Sequence, residues 1–168
     1  LLGAALLARP LFNPKPELSF HRLLERAIAL DPDDPALHWA ALADCDEKAA
    51  DCPNADALAA LERLAPDNAA VWLVQLGVDA RERRKKAARE DLARAAGAKF
   101  YDDYTGRSLQ ALAYASAALP TPEALLDPAE AGAVPGFQTL LTFTLGNAQP
   151  APMLPLAGTL CEKSATDP

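Results

Sequence analysis

An all-α chain is predicted by three features of the sequence. Alanine makes up more than a fifth of the 168 residues while β-branched and aromatic residues are sparse, so local propensity favours helix almost throughout. Apolar residues recur at i, i+3, i+4 and i+7 in Phe20, Leu23, Leu24 and Ala27. A similar stripe runs through Ala69, Leu73 beside Trp72, Leu76 and Ala80. Each stripe needs a neighbouring helix. Finally, one order of features occurs twice: an apolar helix, a Pro/Asp/Asn turn, then a helix opening onto a Trp, in "LLERAIALDPDDPALHW" (23–39) and "ALAALERLAPDNAAVW" (57–72).

The elements follow in order. "LLGAALLARP" reads as an apolar helix over 2–9 closed by Pro10. It has neither an initiator Met nor a charged start, so sequence is expected to precede it, the alternative being the remainder of a signal-peptide hydrophobic region. Helices are predicted over 17–30, over 35–48 with Pro35 in the first turn, and over 55–64 and 69–83 with Asn54 and Asn68 as N-caps. Two more are predicted over 86–97, where Gly97 suits a left-handed C-cap, and over 101–118. In "LPTPEALLDPAEAGAVPG" (119–136) Pro120, Pro122, Pro128, Pro135, Gly132 and Gly136 interrupt regular helix. This segment reads as a connector with one helical turn at Glu123–Leu126. "FQTLLTFTLG" (137–146) leans to strand by propensity, but a lone strand has no partner, so a helix is expected. "MLPLAGTLCEKS" (153–164) reads as a final short helix. The expected organisation is helical repeats over 1–118, with an irregular Pro-rich connector and C-terminal helical cap over 119–168 in the same globular unit.

A shift of 34 residues superposes Leu24 on Leu58, Ala27 on Leu61, Leu30 on Leu64 and Pro32 on Pro66, and a second shift reaches Leu92, Ala95 and Ala98. "NAAVWLVQLG" supplies Asn68, Trp72, Leu76 and Gly77, and "LERAIALDP" supplies Ala27 and Pro32 at the close of a helix. Over residues 17–118 this arrangement resembles the tetratricopeptide repeat (TPR) family. Trp72 stands one residue early for strict spacing, which leaves Leu73 in the usual aromatic slot, and the family's second-helix aromatic is absent. The resemblance implies a TPR-like, right-handed superhelical array of antiparallel helix pairs that serves as a non-catalytic scaffold for a protein or peptide. First helices of successive pairs line the concave face of such arrays. That makes Trp39, Trp72, Tyr101, His38 and Gln75 the candidate binding residues, with the tryptophans equally suited to interhelical core. On a helix, Tyr101 and Tyr104 would share one face flanked by Asp102 and Asp103, aromatic area beside fixed charge. Tyr104 is also expected to fill the slot of Trp39 and Trp72.

Charge and motif content narrow the chemistry. A net charge of −7 argues against nucleic acid as the main partner, since a phosphate-binding face needs a basic excess. The basic run "RERRKKAAR" (81–89) reads as a solvated turn between two helices, offset by Glu82, Glu90 and Asp91. No apolar stretch is long enough to span a membrane. His21 and His38 have no companion at helical ligand spacing, and a zinc site of Cys45, Cys52 and His38 would lack a fourth ligand. The aspartates fit no calcium loop, and there is no Cys-x-x-Cys pair, Gly-x-Ser-x-Gly elbow or phosphate-cradling glycine loop. No cofactor and no metal are therefore expected. The expected function is a protein- or peptide-binding module of the bacterial cell envelope, of an adaptor or immunity type. The rival is an envelope-associated enzyme or accessory domain with a cleft in residues 119–168 holding convergent titratable groups. Oligomeric state stays open.

Of the three cysteines, Cys45 is placed in the last turns of one predicted helix and Cys52 just before Pro53 and Asn54, which open its antiparallel partner. A chain reversal between them brings the Cα atoms within the roughly 4.4–6.8 Å a disulfide needs. The expected Cys45–Cys52 bond closes a short loop worth about 2.5 kcal/mol and places the protein in the periplasm or outside the cell. Reduced thiols in a cytoplasmic protein are the alternative. Cys161 is expected to find its partner in sequence beyond Pro168.

Overall fold

The computed structural model describes residues 1–8, 18–45, 52–119, 126–127, 132–133, 142, 144, 152 and 154–166. Its helices are α1 (Leu2–Leu7), α2 (Phe20–Leu30), α3 (Pro35–Ala41), α4 (Ala55–Leu64), α5 (Ala69–Arg81), α6 (Lys85–Gly97), α7 (Thr105–Ala117) and α8 (Leu154–Thr166). Among the described residues the protein is all-α apart from one small antiparallel ladder, β1 (Leu126–Asp127) with β2 (Gly132–Ala133), in which Leu126 faces Ala133. Leu126 therefore closes a strand pair and not the helical turn expected at Glu123–Leu126, of which residues 123–125 lie outside the described residues. Of the helix expected over 137–146, only Thr142 and Thr144 are described, and both are helical. By packing, the chain forms two compact units, Leu1–Pro32 with Tyr104–Gln149, and Asp33–Asp103 with Pro150–Pro168.

In the first unit α1 packs against α2 and α7. Phe20, Leu23, Leu24 and Ala27 bury the predicted stripe of α2. That helix starts at Phe20 because Ser19 caps it, its Oγ accepting the Arg22 N–H at 3.3 Å. α1 and α7 approach closely at Gly3: a Cβ there would collide with the Ala111 carbonyl, so only glycine fits.

In the second unit two helix hairpins, α3–α4 and α5–α6, carry the described core with α8. Leu73, Leu76 and Ala88 form its centre, flanked by Leu92 and Ala95 and by Leu156, Ala157 and Leu160 of α8. Pro35 opens α3 behind Asp34, whose Oδ1 accepts the Ala36 N–H at 3.0 Å. α3 ends at Ala41, seven residues short of expectation, and Asn54 supplies the reason. Its N–H donates to the Leu42 carbonyl at 3.1 Å, its Nδ2 donates to the Asp44 carbonyl at 2.9 Å, and its Oδ1 accepts the Ala57 N–H at 3.1 Å. One residue thus takes up carbonyls released at the end of α3 and caps α4.

Asn68, fully buried, does similar work at α5. Its Oδ1 accepts the N–H of Ala70 at 3.1 Å and of Asp102 at 3.0 Å, and its Nδ2 donates to the Asp102 carbonyl at 2.7 Å. Those bonds hold residues 100–102 in an extended bridge to Asn68, so α7 cannot begin at 101 as expected. Tyr101 and Tyr104 consequently share no helical face; Tyr104 is buried with a left-handed φ of 53°. Gly97 is the last helical residue of α6, and its cap falls on Ala98 in extended backbone, not on a left-handed glycine. Among the described residues no helix is long and apolar enough to cross a membrane.

Candidate functional site

The second unit carries a cleft of about 260 Å³ where α4 meets α5. Leu58, Ala59 and Val78 give it an apolar wall, and Glu62, Gln75, Glu82 and Arg84 give it a polar one. These side chains converge because α4 and α5 are antiparallel neighbours joined through the turn that Asn68 caps, while Arg84 folds back from the α5–α6 turn.

Arg84 is held there by Asp79. Asp79 lies on α5 at 2% exposure, and its Oδ1 accepts from Gln75 Nε2 at 3.0 Å, from Arg84 Nε at 3.1 Å and from Arg84 Nη2 at 2.5 Å. The second terminal nitrogen of the Arg84 guanidinium pairs with Glu82. The reversal is tight: Arg83 adopts φ 59°, and the Arg84 N–H donates to the Asp79 carbonyl at 2.8 Å.

A second buried carboxyl stands on the facing helix. Asp91 of α6 is 3% exposed; its Oδ1 accepts a long bond from Arg94 Nη1 at 3.4 Å, and its Oδ2 receives no donor. Burial pushes the Asp91 carboxyl up to about 6, reinforced by the negative charges of Asp79 and Glu62 and opposed by Arg94. Burial also raises Glu62, with Arg94 opposing and Asp79 adding to the rise. Arg94 lies over the Trp72 ring at 4.8 Å, and the Trp72 indole N–H donates to the Pro66 carbonyl at 2.7 Å.

The lining offers carboxylates, an amide and a guanidinium, and among the described residues no hydroxyl, thiol or imidazole. Such a set recognises charge and hydrogen-bonding groups. Among the described residues no group of three or more His, Cys, Asp or Glu side chains is arranged to hold a metal ion.

The residues singled out from sequence separate. Trp39 (0% exposed) and His38 (8%) are buried, Trp39 taking the interhelical-core alternative. Trp72 is half-buried under Arg94, and Gln75 lines the cleft with its amide bonded to Asp79. Tyr101 is 47% exposed on the extended segment, its phenol raised by partial burial and then by Asp103. Sequence reasoning missed Glu62, Asp79, Arg84, Asp91 and Arg94. A signal existed: Asp79 follows Leu76 by three and Asp91 follows Ala88 by three, which sets an acidic residue on each apolar face. The basic run is the expected exposed turn between α5 and α6, with Glu82 offsetting it, and Arg84 adds a bond to the buried Asp79. The enzyme cleft expected over 119–168 falls mostly outside the described residues.

Beside the cleft, Cys45 and Cys52 form the expected disulfide, with Cα atoms 5.3 Å apart, and Arg81 Nη2 donates to the Cys52 carbonyl at 2.7 Å. Cys161 is exposed on α8, outside that bond. Compared with protein-family models, with curated proteins and with solved structures, the chain finds no match in any of the three.

Proposed function

We propose that this chain is a non-catalytic protein- or peptide-binding module, a TPR-like helical repeat in its helix–turn–helix units, and that it binds its partner in the α4–α5 cleft. One observation carries the reading. Glu62 stands partly desolvated beside an apolar wall, and among the described residues no cation lies within ion-pair distance of it. A carboxylate in that position gains most from a basic group brought by a ligand whose apolar atoms cover Leu58 and Val78. The partner segment is accordingly a peptide stretch with a Lys or Arg beside apolar residues.

Two further features support the architecture and the compartment. α2 and α4 end at Leu30 and Leu64, and α3 and α5 begin at Pro35 and Ala69, behind Asp34 and Asn68, which cap the second following N–H alike. The turn therefore recurs at the spacing of the sequence shift, as stacked helix pairs require. The Cys45–Cys52 bond suits an oxidising compartment, which favours the periplasm or the cell exterior.

A photo-crosslinking side chain at exposed Ala59 tests the site in cells of the native host. The expected result is one dominant protein adduct, lost at least about tenfold when Glu62→Lys reverses the charge. An equal adduct from a probe at Arg107, or an adduct indifferent to Glu62→Lys in a variant with unchanged circular dichroism, would overturn the assignment.

A further inference from the structure

The disulfide and the α4–α5 cleft share a wall. We propose that the Cys45–Cys52 bond is a redox switch for that cleft: while intact it holds the rim at Cys52 and Pro53 in place, and its cleavage by a dithiol frees the rim and weakens the hold on a ligand. Release of a ligand rests on the peptide-binding reading above, whereas the coupling of bond to rim does not.

Pro53 and Ala55 line the cleft beside Leu58, and Cys52 directly precedes them. The rim has few other fastenings. Proline has no N–H to donate, and among the described residues the backbone of Cys52 and Pro53 takes one hydrogen bond, from Arg81 Nη2 to the Cys52 carbonyl at 2.7 Å on the exposed surface. Arg81 belongs to α5, the opposite wall, so this bond closes one end of the cleft only while Cys52 stays within its reach. The disulfide keeps it there, fixing the Cα of Cys52 5.3 Å from that of Cys45. Asn54 anchors the chain one residue beyond Pro53, through the Leu42 and Asp44 carbonyls and the Ala57 N–H, with bonds that involve no sulfur. Opening the disulfide therefore lets Cys52 and Pro53 swing about Asn54 and leaves α4 standing.

A reductant has its own way in. A second cavity, of about 430 Å³, is lined by Asp44, Cys45, Asn54, Ala55 and Asp56. Ala55 lines both cavities, while Cys45 lines this outer one and not the cleft. A thiolate of the dithiol arriving there attacks Cys45 Sγ; the S–S bond breaks, and Cys52 leaves as a thiolate that takes up a proton. The second thiol of the reductant then displaces Cys45 from the mixed disulfide. Two electrons and two protons have passed to the protein, and the reductant departs as its own disulfide. Cys45 has an acceptor at hand, since its Sγ lies 3.4 Å from the Leu42 carbonyl, to which the new thiol donates. Cys45 thus stays at the end of α3, and the movement falls on Cys52, on the side of the cleft.

The test is methyl NMR of the full chain, oxidised and then reduced with dithiothreitol, together with photo-crosslinking from Ala59 in the wild type and in Cys45→Ser/Cys52→Ser. The expected result is a reversible shift of the Leu58 and Val78 methyls, which line the cleft, with the methyls of Leu61 and Leu76, both 0% exposed, unmoved. The serine variant should not respond to dithiothreitol, which separates the effect from any at the free Cys161. Its adduct at Ala59 should be about fivefold weaker than that of the oxidised wild type, because a rim that must be ordered on binding costs affinity. Unmoved Leu58 and Val78 methyls would overturn the switch. So would movement of Leu61 and Leu76 along with them, which marks unfolding of the helix pair and not a change at its rim. Equal adducts from the oxidised wild type and the serine variant would overturn control of binding. Oxidised protein that gives no adduct, with its Leu58 and Val78 methyls answering dithiothreitol, would strike the docking site and uphold the coupling of bond to rim.

Discussion

The two hairpins of the second unit solve one problem by opposite means. In α3–α4 a disulfide spans the reversal, and Asn54 ties the end of one helix to the start of the next. In α5–α6 no covalent bond exists; a left-handed Arg83 turns the chain, Arg84 reaches back to Asp79, and Asp79 and Asp91 are both buried acids, one on each helix. The first fastening constrains the unfolded chain and answers to redox potential. The second depends on charge balance in a buried site and answers to pH. Because the first acts on the chain's entropy and the second on the native interior, the two should fail independently.

The largest expected effect comes from removing the centre of the polar fastening. Asp79→Ala leaves Arg84 without its principal buried acceptor and Gln75 without the one its amide uses. It should cost about 3–4 kcal/mol in chemical denaturation, as the loss of one member of a buried charged pair does. A cost below about 1 kcal/mol would reduce the network to decoration. Next comes the pH profile. Raising the Asp91 carboxyl from an ordinary 3.8 to about 6 corresponds to about 3 kcal/mol present in acid and absent at pH 8. The difference between wild type and Asp91→Asn isolates it from every other carboxylate. Replacing Cys45 and Cys52 together by Ser should remove about 2.5 kcal/mol while leaving the shape of the pH profile unchanged. A changed profile would mean that the two hairpins are not separate devices. The smallest effect belongs to Arg83, which holds φ 59° without being glycine. Arg83→Gly relieves about 1 kcal/mol of left-handed strain, partly offset by greater freedom of the unfolded chain, so the unfolding midpoint should rise slightly.

The contrast also explains what the sequence could show. The covalent hairpin was legible because its parts are close in sequence and their chemistry is specific: two cysteines, a Pro-Asn helix opening, and α4 over the predicted 55–64. The end of α3 was not legible, because a side chain ten positions from Asp44 sets it. Likewise the start predicted for α7 failed on bonds between Asn68 and Asp102, far apart in the chain. Asp79 and Asp91 looked like ordinary helix-surface charges. Only their phase against Leu76 and Ala88 marks them as interior, and a single acid on an apolar stripe says nothing about its partner until two helices are placed together. The cleft suffered the same way: Gln75 was named among its residues, whereas Glu62 and Arg84 acquire meaning only through packing. Trp39, suited by sequence to either the concave face or the interhelical core, is core, since α3 is buried on most of its length.

Residue-resolved hydrogen exchange, measured with and without reductant at pH 5 and pH 8 and corrected for intrinsic rates, tests the independence of the two fastenings most directly. The account predicts that reductant speeds exchange in α3 and α4 and leaves α5 and α6 protected, while the rise in pH does the reverse, speeding α5 and α6 alone. Protection lost together in all four helices under either treatment would contradict it.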